Sequence, residues 1–230
     1  MIPLRDDIPT RRFPAITVSL IVVNVAVYLY QLTLNGSQYS SMVFKWGFIP
    51  LEYTHFAQVY PQLAVPYGLT VFTSMFVHGG FMHLAGNMLY LWIFGSNIED
   101  FLGKIKFIIF YLASGMAAVA LFTITSPASE VPLVGASGAI AGVLGAYLAL
   151  YPRARILALV FLGFFIQTVR VPAAILLGFW FVLQLLYGLP SLLAGTQGGG
   201  IAWFAHVGGF VFGYFYFKLT RKKGEWGAYR

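Results

Sequence analysis

Cysteine is absent from the 230-residue chain. Disulfide bonds, thiol nucleophiles and thiolate metal sites are therefore excluded. Charge is scarce as well: Asp, Glu, Lys and Arg together make up 9%, against about 25% in soluble domains. Apolar residues take that place, at 59% of the chain, with a mean hydropathy of +0.79. A soluble core at this length cannot hide so much apolar surface, so lipid must solvate much of it. Acidic residues number 7 against 14 Lys and Arg, a net charge of +7. In a membrane protein such cations flank the spans and set their orientation. No nucleic-acid partner is expected, and membrane lipid is.

Runs without charge, long enough to span at about 17–25 residues, are Ala15–Leu34, a stretch within Val71–Ile98, Phe107–Thr125, Val131–Tyr151, Val171–Leu189 and Ile201–Phe217. A shorter run, 156–169, is expected to be a cytoplasmic-side hairpin or an interfacial segment rather than a span. With six spans and a cytoplasmic N-terminus, 13 of the 14 Lys and Arg lie inside and only Lys45 lies outside, as the positive-inside rule requires. A seventh span would send Arg170 and the basic tail outward. The expected organisation is a cytoplasmic segment 1–14, a six-span domain 15–219 and a basic cytoplasmic tail 220–230. The first outer loop, Asn35–Thr70, carries Trp46, Phe48, Tyr53, Phe56 and Tyr60, which suits the outer interface. The last, 190–200, is glycine-rich and is expected to act as a mobile gate.

Ionisable residues inside spans are costly and usually functional. Here they are His78, His83 and His206. Ser137 lies about six residues into an inward-running span, roughly 9 Å down, and His206 about five residues into another, roughly 8 Å down. The two share one layer. His83 and Asn87, at i and i+4, share a helix face in the outer half of the second span. Gly138, Gly142 and Gly145 on the fourth span, with Gly209 and Gly213 on the sixth, allow close backbone approach in lipid. Each feature has a plainer reading when taken singly. Serine on a small-residue face is more often packing contact, and three imidazoles without a carboxylate make a thin metal site. The joint pattern is what points to chemistry.

At these residues the chain resembles the rhomboid intramembrane serine proteases. The matching motifs are "GASG" around Ser137, "AHVGG" around His206, and "HGGFMHLAGN", which holds His78, His83 and Asn87. The resemblance implies an all-α, six-helix rhomboid bundle around a hydrated cavity open to the outer side. It implies Ser137 as nucleophile, His206 as general base, and an oxyanion site made by the Ser137 backbone N–H, His83 and Asn87. His78, Gly135 and Gly138 would support the site, and Gly142, Gly209 and Gly213 would pack the helices. Substrates would be single-pass transmembrane proteins. No cofactor or metal is implied, and no oligomer is needed for activity. A prokaryotic plasma membrane is the expected location. Two departures are visible: Leu69 and Thr70 stand where Trp-Arg is common, and Ala141 stands where some members carry a tyrosine against the base.

No acidic residue lies at the depth of His206, so a Ser-His dyad is expected, with helix packing orienting the base. The alternative from another class is a catalytically silent rhomboid-like protein that binds membrane proteins for traffic or degradation. A proton-relay transporter would predict paired broken helices in two repeated halves, and no such repeat occurs.

Overall fold

In the computed structural model, residues 1–56, 59–63, 65–66, 68–162, 165–193 and 202–220 are described. The chain opens with a strand, β1 (Ile2–Arg5), and then α1 (Ala15–Leu32). Next come three short helices, α2 (Gly36–Trp46), α3 (Pro50–His55) and α4 (Leu69–Thr73), with a 3-10 turn at Pro61–Leu63. These fill the stretch between α1 and Thr73. Asn35 caps α2 through a reciprocal box with Gln38, and Pro50 starts α3 with its φ already set for a helix. A continuous helical run follows: α5 (Phe81–Tyr90), a π turn (Leu91–Gly95) and α6 (Ser96–Leu102). The remaining helices are α7 (Lys104–Thr125), α8 (Ser137–Leu150), α9 (Ala173–Leu193) and α10 (Trp203–Thr220). Stretches of α1, α7 and α9 are each long and apolar enough to cross a membrane.

The expectation of a wholly helical fold needs correction. Segment 155–172 forms strands β2 (Arg155–Leu162) and β3 (Phe165–Pro172), and β1 adds to β2 as a third antiparallel strand. The run is rich in Val, Ile, Leu and Phe, at home in strands, and too short to span. The sheet joins the end of α8 to the start of α9, so it lies at the end of the bundle opposite Ser137. The expected span 131–151 is also shorter as a helix. Its first six residues are not helical, because Pro132 lacks an N–H, Leu133 pairs with Phe48, and Gly135 takes φ +115°. Residues 194–200 of the expected gate and the tail 221–230 lie outside the described residues.

Acidic side chains tie the start of the chain and α1 to the rest of the bundle, Glu99 and Asp6 among them. Buried Glu99 accepts the N–H groups of Ile16 (3.0 Å) and Thr17 (2.7 Å) and the Thr17 hydroxyl (2.8 Å). These amides have no intrahelical partner, and an anion suits the positive end of α1. Asp6 Oδ2 accepts from the Tyr147 hydroxyl (2.6 Å) and from Asn97 Nδ2 (2.7 Å). Burial pushes the Asp6 carboxyl up from 3.8 to about 6, against the pull of these hydrogen bonds.

The folded chain therefore holds the Asp6 proton more tightly than the unfolded chain does. Its stabilising contribution is full below the unfolded value and is lost as pH rises through about 6. Melting in detergent is expected to drop between about pH 4 and 6, the interval between the two values, and Asp6→Asn, which keeps the acceptor and sheds the charge, to flatten that drop. A variant with the wild-type slope would clear Asp6 of the effect.

Candidate active site

The site is assembled where three helices begin. Ser137 is the first residue of α8, so its N–H has no intrahelical acceptor and faces the positive end of the helix. His206 lies in the first turn of α10. His206 Nε2 stands 2.8 Å from Ser137 Oγ. The two residues expected to share a layer are thus in hydrogen-bond contact. Depth within a helix is not the reason, as both sit at helix starts.

The seam between α8 and α10 is what brings them together. A Cβ added at Gly209 would run into the Gly138 carbonyl, and one at Gly213 into the Gly142 carbonyl. Gly142 also faces Ser114 of α7, while a Cβ at Gly138 would lie 2.6 Å from Ala118 Cβ. Gly138 therefore packs chiefly on α7. Gly208, not singled out from sequence, lies against α7 too, with a Cβ position 2.7 Å from the Ala117 carbonyl.

His83 and Asn87 occupy one face of α5, as their spacing predicts, and both line the cavity that contains Ser137 and His206. Its volume is about 970 Å³. The Gly79 N–H donates to His83 Nδ1 (3.4 Å), so His83 keeps its proton on Nε2 and presents a donor. Asn87 is buried, and among the described residues its Nδ2 has no hydrogen-bond partner. Gly135 explains how the loop before Ser137 fits. Its N–H donates to the Ser74 carbonyl (2.8 Å). A Cβ there would stand 2.6 Å from His83 Nε2, and its φ belongs to glycine.

His78 is fully buried. Its ring meets the His83 ring edge-on, centroids 5.2 Å apart. Its backbone is held on both sides by the Gln31 side chain of α1, at 3.0 and 2.8 Å. A second glutamine, Gln184 on α9, places Oε1 2.8 Å from His206 Nδ1. Neither glutamine emerges from a search for ionisable residues. The signal that finds them is a neutral polar side chain inside a charge-free run.

The chain is apolar and helical, with serine and histidine in contact beside a cavity that His83 and Asn87 also line. Comparison with known proteins gives the family. The chain belongs to the rhomboid family, whose Rhomboid domain matches residues 67–223. It is a membrane protein. Rhomboid protein 1, mitochondrial, of Saccharomyces cerevisiae is 33% identical over 153 residues, covering 64% of this chain and 40% of that protein. Putative rhomboid protease YdcA of Bacillus subtilis is 40% identical over 76 residues, covering 33% of this chain and 38% of the relative. Rhomboid protease GluP of the same species is 32% identical over 145 residues, covering 62% and 24%. The matched region is less than half of each of these relatives.

Proposed function

We propose that this chain is an intramembrane serine endopeptidase that hydrolyses peptide bonds in or near the transmembrane segments of single-pass membrane proteins. The observation that carries the reading is the 2.8 Å contact between Ser137 Oγ and His206 Nε2. His206 takes the serine proton as Oγ attacks the scissile carbonyl, then returns it to the leaving amine. Water hydrolyses the acyl-enzyme by the same route. The oxyanion is met by the Ser137 N–H, His83 Nε2–H and Asn87 Nδ2–H. The unpaired Asn87 donor supports this, since a buried amide is costly to leave unpaired unless something else fills it. The large cavity supports a supply of water that a bilayer core lacks.

The same reading takes six spans, with both termini in the cytoplasm and the site open to the outer side of a prokaryotic plasma membrane. Support comes from the sheet: β1 and the 155–172 hairpin pair at one end of the bundle, which gathers Arg5, Arg153, Arg155 and Arg170 on the side opposite Ser137. Lipid surrounds the domain, and activity needs no oligomer, metal or cofactor.

The test is labelling of the detergent-purified protein with a fluorophosphonate, mapped by mass spectrometry. Label on Ser137 that is lost in Ser137→Ala and His206→Ala is the expected result. A folded protein that takes no label, and leaves single-pass substrates uncut in liposomes, would be a silent binder instead.

A further inference from the structure

His206 is held by more than its helix. Its Nδ1 faces Gln184 Oε1 at 2.8 Å, and its ring lies beside Trp180 (centroids 5.8 Å apart) and edge-on to Trp203 (6.4 Å). Gln184 is 5% exposed. Its amide is not free to turn, because Nε2 donates to the Trp180 carbonyl one turn back on α9 (3.2 Å). With the nitrogen occupied there, oxygen is the atom left to face the imidazole, and an amide oxygen only accepts. His206 must then carry its proton on Nδ1. That leaves the Nε2 lone pair directed at Ser137 Oγ.

We propose that Gln184 is a positioning residue for the serine–histidine pair, locking His206 in the Nδ1-protonated tautomer and in the ring orientation that lets Nε2 accept the Ser137 proton. This rests on the hydrolase reading above. In a soluble serine protease a buried carboxylate holds the imidazole in its tautomer. On an apolar helix facing lipid a buried carboxylate is costly, and an amide orients the ring without a charge. The expectation that helix packing alone holds the base is thereby extended. Packing sets the distance between α8 and α10, and a side chain from α9 sets the tautomer.

The experiment compares wild type, Gln184→Met and Gln184→Glu. Methionine keeps length and apolar bulk and lacks a strong acceptor. Glutamate restores an acceptor oxygen. The readouts are the rate of fluorophosphonate labelling of Ser137, kcat and KM for a liposome-embedded single-pass substrate, and the ¹⁵N spectrum of His206, assigned by difference from His206→Ala. Gln184→Met is expected to slow labelling and kcat by about 10- to 100-fold, with KM nearly unchanged. Gln184→Glu is expected to regain most of the loss. The wild-type spectrum should show His206 protonated at Nδ1, and Gln184→Met a mixture of tautomers. Equal labelling in wild type and Gln184→Met, or a wild-type His206 protonated at Nε2, overturns the proposal. Should Gln184→Met fail to fold, the wild-type spectrum decides alone. A wild type that is never labelled defeats the hydrolase reading itself, a result distinct from labelling that ignores Gln184.

Discussion

Asn87→Ala is expected to lower kcat by about 10²- to 10³-fold while leaving the protein at least as stable as wild type. The two effects have one cause. Asn87 Nδ2 is buried without a partner among the described residues, and such a donor costs the folded state about 1–3 kcal/mol. Removing it relieves that cost. In the proposed mechanism the same donor meets the oxygen that turns negative in the transition state, an interaction worth about 3–4 kcal/mol. Ground-state substrate gains little from it, so KM should move little. A structural asparagine would behave in the opposite way, with melting falling and activity following. His83→Ala should give a loss of similar size, and the double variant much less than the product, because both act on one oxygen. The check is kcat and KM on a liposome-embedded substrate beside thermal melting in detergent. Stability lost in proportion to activity would remove Asn87 from the oxyanion site.

Gly213→Val is expected to destabilise the fold by about 3 kcal/mol or more and to silence the site. A Cβ at Gly213 meets the carbonyl, carbonyl carbon and Cα of Gly142. All three are backbone, so no rotamer change relieves the overlap and α8 and α10 must separate. The Ser137–His206 contact, 2.8 Å long, spans the same pair of helices and would open with them. Gly178→Ala on α9 is the control. Beyond its chain neighbours and its own helix backbone, no heavy atom lies within 4 Å of its Cβ position, and alanine in a helix interior is favoured over glycine by about 0.5–1 kcal/mol. Melting of the two variants should move in opposite directions, and Ser137 labelling should be lost in Gly213→Val alone. A Gly213→Val protein with wild-type melting would mean that the seam is looser than the packing indicates.

Much of this was legible in the chain before folding was considered. Low charge and long apolar runs require lipid, and the spacing of His83 and Asn87 requires a shared helix face. The motifs around Ser137 and His206 carry the family resemblance. Periodicity and composition report on neighbours within one element, and these features are local.

Other features were decided by the tertiary structure. Ser137 starts a helix, where an apolar run alone placed it inside one; Pro132, Gly135 and the bridge from Leu133 to Phe48 interrupt the run in three dimensions. The 155–172 segment becomes a hairpin whose third strand is β1, more than 140 residues earlier in the chain. Asp6 meets Tyr147 across 141 residues, and Gln31 meets His78 across 47. Gln184 reads as an isolated amide in an apolar run until α9 packs beside α10 and brings its Oε1 to 2.8 Å from His206 Nδ1. A hydrogen bond between distant elements depends on helix registry and crossing, and packing sets both. The sequence by itself determined the solvent and the family resemblance and singled out Ser137 and His206; folding decided which neutral side chains contact them.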